Sequence, residues 1–271
     1  MSIRNRESAR AVTDSGSGLD RRTVENTEFH DANLSSISVS LMERTAAFVV
    51  TLEHKEAHRV RTPVRLFGGA IDSLFARVDM PTLSDHARAG NIQYGRFDPG
   101  TGTMRLVLVG GVAETSSSRP PFRLAPLSDD APLPHPAEDS NAGSLNELDL
   151  VELHLSILCS VHVCMERHTC EMELLVRRDG SLVEFDAAVL RLTDVSSCLL
   201  KVDRPALAGN FNVGNIHSCH TDHDRGLVWL NLREGFIEVA AGGVSLVRRA
   251  ARVPAEWAAP VQAEEQGHGA S

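Results

Sequence analysis

From Val151 to Met165 the odd positions read Val, Leu, Leu, Ile, Cys, Val, Val, Met. The even positions include Glu152, His154, Ser156, Ser160, His162 and Cys164, with Leu158 as the exception. A period of two places one apolar face and one polar face on an extended chain, which predicts a long strand. Ile37, Val39 and Leu41 alternate in the same way with Ser36, Ser38 and Ser40. "MERT" (42–45) and "MERHT" (165–169) then turn each segment into a second strand, and "RRDGS" (177–181) carries an Asp-Gly hairpin signal. Helical periodicity is weak everywhere; "LSDHARAG" (83–90) predicts at most one turn.

The pattern occurs twice. Ser73–Gly111 set against Ser197–Gly235, at a constant offset of 124, gives thirteen identities over 39 positions. Unrelated chains of ordinary composition would share about three. Both segments hold V-D-x-P-x-L and G-N-I, and Asp98, Gly102, Leu106 and Leu108 meet Asp222, Gly226, Leu230 and Leu232. Upstream, "SVSLMERT" (38–45) matches "SVHVCMERHT" (160–169) if two single-residue insertions are allowed, which sets Ser40 against His162 and makes Cys164 an insertion. Two copies are too few for a solenoid. The expected architecture is all-β: two tandem-duplicated antiparallel β-barrel or β-sandwich lobes joined by a Pro/Ser-rich linker.

The expected divisions are a disordered segment 1–30, a β lobe 31–114, a Pro/Ser/Asp-rich linker 115–147, a second β lobe 148–253 and a flexible tail 254–271. Local pattern leaves open whether the lobes share one core.

Composition narrows the function classes. A net charge of −9 provides no basic field for phosphate backbones, so nucleic acid is not an expected partner. The start has no apolar core suited to secretion, and no apolar run reaches the roughly 18 residues of a membrane helix. Five cysteines, an odd number, fit free thiols in a reducing interior, so the expectation is a cytoplasmic protein without membrane contact.

Candidate chemistry concentrates in the second half. "GNIHSCHTDHDRG" (214–226) holds His217, Cys219, His220, Asp222 and His223. Strict alternation puts His217, Cys219 and Thr221 on one face, with His223 in the turn just beyond, and Ser218, His220 and Asp222 on the other. Imidazole and thiolate suit zinc or another transition metal, so His217, Cys219 and His223, with His162 and Cys164 as contributors, form one candidate metal site. The spacing matches no established zinc pattern. His217, His220 and Asp222 form a candidate acid–base set, and His162 with Glu166 a further pair.

The bland alternative is equally physical: His and Asp near hairpin turns commonly face water, and small cysteines fill cores. In the first half the positions of His217, Cys219 and His223 hold Gln93, Gly95 and Pro99, so the scaffold folds without these groups. Asp79–Pro81 and Asp203–Pro205 read as structural turns. Arg59, Arg61 and Arg65 read as a solvated edge or an anion contact, and Trp229 as core.

Small β-barrels often enclose one ligand, and paired barrels recur among enzymes that fold or isomerise apolar natural products, a fold-level analogy. The leading expectation is therefore a protein binding a small molecule or a metal. If it is an enzyme, the expected reaction is cyclisation or isomerisation of an apolar substrate by histidine acid–base chemistry. The alternative is a non-catalytic structural or protein-interaction module, and a homo-oligomer is compatible with either.

Overall fold

The computed structural model describes residues 27–53, 61–118, 122–127, 148, 153–154, 156–177, 185–203, 216–233 and 235–249. The first half comprises β1 (Asn33–Ser40), β2 (Thr45–Glu53), β3 (Arg61–Gly69), β4 (Ile71–Asp79), α1 (Met80–Asp85), β5 (Ile92–Asp98), β6 (Thr103–Leu108), β7 (Gly111–Ser117) and β8 (Arg123–Pro126). The second comprises β9 (Ile157–Cys164), β10 (Thr169–Arg177), β11 (Phe185–Thr193), β12 (Ser197–Asp203), β13 (Ile216–Asp222), β14 (Leu227–Leu232), β15 (Gly235–Ala240) and β16 (Gly243–Arg249).

These strands form two eight-stranded antiparallel sheets. Sheet A runs β16-β11-β10-β9-β1-β2-β3-β8, and sheet B runs β13-β14-β15-β12-β4-β7-β6-β5. The halves therefore share both sheets, joined by β1 against β9 and by β4 against β12. Neither order closes on itself as a barrel. One apolar cluster draws on both sheets and both halves, from Ile37, Phe48 and Leu66 to Leu158, Leu190 and Ile237. Among the described residues no helix is long and apolar enough to cross a membrane.

Strand bounds recur at a spacing of 124 residues: β1, β2, β3, β5 and β6 reappear as β9, β10, β11, β13 and β14 with no insertion. Left-handed backbone recurs at the same spacing, at Arg44 and His168, Ala70 and Asp194, and Gly102 and Gly226. This corrects the two insertions inferred from "MER": backbone geometry aligns Ser38 with His162 and Ser40 with Cys164. The MER motif is thus displaced by one residue while the ladder is not.

Each strand inherits its faces from the alternation. Ile37, Val39, Val161 and Val163 are buried inward, while Ser38, Ser40, His162 and Cys164 occupy the outer face of sheet A. The Leu158 exception is a register shift in the β9–β10 ladder, where Cys159 is passed over and Leu158 turns inward. The equivalent shift in the first half passes over Ser35.

Asp79 ends β4 and caps α1: its Oδ1 accepts from the Thr82 amide at 2.9 Å, with Pro81 in the first turn. The G-N-I signature has a structural job. Asn91 is 2% exposed; its Oδ1 accepts from Leu34 N at 2.8 Å, and its Nδ2 donates to Leu34 O and Leu83 O. Gly90 takes φ +94° because a Cβ there would meet the Asp31 backbone at 2.4 Å.

Two expectations about connections change. The stretch expected as linker contains the end of β7 and all of β8, and Phe122 is 3% exposed in the core; residues 128–147 lie outside the described residues. The segment expected to be disordered to residue 30 places Phe29 in the core at 2% exposure. Residues 1–26, the tail from 250 and the "RRDGS" turn beyond Arg177 lie outside the described residues.

Candidate functional site

The histidine–cysteine stretch lies on β13, an edge strand of sheet B. Its pairing with β14 shifts register between Ile216 and Ser218, so His217 sits in a bulge rather than in regular alternation. Cys219 turns inward against the core, whereas His217 is exposed. The expected common face of His217, Cys219 and Thr221 is thus broken by one residue. Gln93 occupies the same bulge in β5, so the distortion belongs to the scaffold rather than to the histidine.

His217 is engaged through its backbone: His154 Nδ1 donates to its carbonyl at 2.8 Å, and the two rings stand 6.0 Å apart at 70°. His220 is exposed opposite Trp229. His223, in the turn, has its Nε2 3.3 Å from Thr221 Oγ1. Asp222 shares His220's face as expected, but its Oδ1 accepts from Arg225 N at 3.1 Å and shapes the hairpin. Asp98 does the same work in the first half, accepting from Gly100 N at 2.9 Å and Thr101 N at 3.4 Å, and those amides hold its carboxyl below the usual range.

His162 and Cys164 lie on β9, in the other sheet. Among the described residues, no three His, Cys, Asp or Glu groups stand close enough to share a metal ion. The candidate metal set therefore divides between sheets A and B.

His162 occupies a different setting. It pairs with Ser38 at the centre of sheet A, and Ser38 Oγ lies 2.7 Å from its Nδ1. Glu171 is its neighbour on β10, and Glu171 Oε1 accepts from Arg191 Nε at 2.6 Å, both side chains being largely buried. Ser38, His162, Glu171 and Arg191 thus form one row across four strands. Burial pulls the imidazole's proton affinity below its ordinary value, the Glu171 carboxylate opposes this, and Arg167 adds to it. The net effect favours the neutral form of the ring.

His162 and Glu171 of this row border a cavity of about 240 Å3 on the outer face of sheet A. Val49, Pro63 and Leu127 line one side, and His162, Cys164 and Thr169 line the other. Ser36 also lines it; this serine is 5% exposed and its hydroxyl has no hydrogen-bond partner. Alternation alone marks His162 as outward-facing but cannot reveal the cavity, whose apolar side comes from Val49, Pro63 and Leu127, distant in sequence.

Cys159 and Cys170 are poorly placed to act as nucleophiles. Burial pushes the Cys159 thiol up to about 11, with the Glu173 carboxylate adding to the shift. A hydrogen bond to Cys198, then burial, holds Cys170 well above the usual thiol range. Trp229, expected in the core, is half-buried on the outer face of sheet B and donates through Nε1 to Glu238. Arg105 and Glu114 hold the equivalent positions as an ion pair at 3.6 Å. Arg61 and Arg65 lie on an interior strand rather than an edge: Arg61 donates to the carbonyls of Ala87 and Arg88 at 2.8 and 2.6 Å, and Arg65 stacks on Phe67. Arg59 and Pro205 lie outside the described residues. Comparison with protein-family models, with curated proteins and with solved structures finds no match to this chain.

Proposed function

We propose that the chain is an internally duplicated β protein that binds a small molecule in the cavity of sheet A, with His162 as the polar anchor. The duplication is supported by the thirteen identities and by strand bounds that recur every 124 residues. The binding reading rests on one observation: a half-buried imidazole, oriented by Ser38, borders a cavity with an apolar wall. Ligand sites are commonly concave and mostly apolar with a few placed polar groups, and drug-sized ligands need about 300–1,000 Å3. A cavity of about 240 Å3 suits a smaller molecule.

The acid–base chemistry expected of the second half moves with this reading from His217 and His220 to His162. A neutral imidazole fixed at one nitrogen can take a proton beside a substrate carbonyl and return it elsewhere, which is the work of an isomerase or cyclase. The test is amide NMR with small apolar ligands. Shifts clustered on β1, β9 and β10, lost in His162→Ala, support the reading. Shifts confined to β13 and β14 would return the site to the His217 stretch.

A second reading is self-association. Tyr94 is 53% exposed on the edge strand β5 and Val247 is 43% exposed on the edge strand β16, where unpaired ladders invite another chain. Sedimentation across a concentration series checks it: a monomer at all concentrations removes it.

A further inference from the structure

The strands on either side of the β1–β9 junction are equivalent position by position, yet their serines have different fates. Ser160 faces Glu173 across the β9–β10 ladder and donates to Glu173 Oε2 at 2.8 Å. Ser36, 124 residues earlier, faces Val49 across the β1–β2 ladder and has no partner. The first half thus holds valine where the second holds the carboxylate that satisfies the serine. A buried hydroxyl without a partner is costly, and native folds rarely leave one so. The serine that carries this unsatisfied hydroxyl is one of the residues lining the cavity.

We propose that this cavity takes a compact, uncharged, mainly apolar molecule whose single hydroxyl or carbonyl oxygen is hydrogen-bonded by Ser36. The inference rests on the binding reading above and adds the chemical class of the ligand. Size comes from the cavity, at about 240 Å3. Apolar character comes from Val49, Pro63 and Leu127, with Val49 standing opposite Ser36 where Glu173 stands opposite Ser160.

Neutrality comes from the charges at the rim. Glu171 is committed to Arg191, and Glu166 and Arg167 are one exposed charge of each sign. Among the described lining residues no uncompensated ion therefore awaits a charged ligand, which would lose its hydration for nothing. The ligand's oxygen fits either role at Ser36, since a hydroxyl both donates and accepts.

Three probes of one shape separate the possibilities on the full chain: p-cresol, benzoate and benzylamine, followed by amide NMR. The expected result is p-cresol binding about tenfold more tightly than either ion, with shifts at Ser36, Val49 and His162. Ser36→Ala should weaken p-cresol by about fivefold while leaving the melting temperature within a few degrees. Val49→Glu should abolish p-cresol binding and keep the fold, because the new carboxylate reproduces the Ser160–Glu173 contact. Benzoate or benzylamine binding as tightly as p-cresol, or unchanged affinity in Ser36→Ala, overturns the proposed ligand class and leaves the cavity as a site. Absence of shifts at the cavity with all three probes overturns both.

Discussion

His162 is the residue at which the two halves differ most consequentially, because it faces its own counterpart. Ser38 and His162 are equivalent at the 124-residue spacing and are also paired across the β1–β9 junction. The same holds for Ala76 and Leu200 across β4–β12. Strict symmetry would put identical residues opposite each other here, and a serine against an imidazole gives instead a hydrogen bond that fixes the ring. Burial lowers its pKa, so below about pH 6.5 the unfolded chain binds a proton that the folded chain resists. Stability contributed by the neutral ring is present above that value and is lost as pH falls toward the folded pKa. Urea unfolding at about pH 7.5 and about pH 5 should show this loss in the native chain and a smaller one in His162→Gln. Equal losses would mean that Glu171 offsets the burial completely.

At the scale of elements, the fold is built from ladders whose irregularities repeat with the strands. The bulges at Ser35 and Cys159, and at Gln93 and His217, shift which side chains face the core. They decide that His217 leaves Cys219's face. The short helix α1 depends on its cap. Six residues give little intrinsic helix stability, so the Asp79 carboxylate on the Thr82 amide carries weight beyond its one bond. Asp79→Ala should lower stability by about 1 kcal/mol, read as a change in urea midpoint with unchanged slope. Asp79→Ser, which keeps an acceptor, should recover most of it. The same helix is tied to β9's turn by Ser84 Oγ, 2.9 Å from His168 Nε2, so loosening it also disturbs one rim of the cavity.

At the scale of the whole molecule, each sheet passes through both halves, and neither half has a closed surface of its own. Removing residues 128–271 would strip β9 from β1 and β12 from β4, exposing two central edges and half of the shared core. Bare edges of that length pair with whatever is available. A chain of residues 27–127 should therefore be folded only as a dimer in which β1 pairs with β1 and β4 with β4, setting Ser38 opposite Ser38. Sedimentation and cooperative unfolding check this; a folded monomer would show that the halves are independent domains. Such a dimer would lack His162, Cys164 and Thr169, so the cavity's polar wall would be absent from it.

Much of this was legible in the chain itself. Period-two alternation is set by backbone pleating, so β1, β9 and their inward and outward faces follow directly from residues such as Ile37, Val39, Ser38 and His162. The 124-residue repeat is visible because core leucines, turn glycines and the Asp98 and Asp222 carboxylates are constrained in the same way twice. Pairing between halves was not legible, because antiparallel edges carry no local label for their partner. Bulges were not legible either: one extra residue in a ladder is decided by the strand opposite, and it moved His217 away from Cys219. The cavity lay furthest from reach. Its serine is an ordinary outward residue in sequence, and only the packed sheet shows Val49 opposite Ser36 where Glu173 stands opposite Ser160. The sequence by itself determined the strands, their faces and the repeat, through local sterics and burial. Tertiary structure alone decided which histidine borders a cavity, because that depends on strands brought together over long stretches of chain.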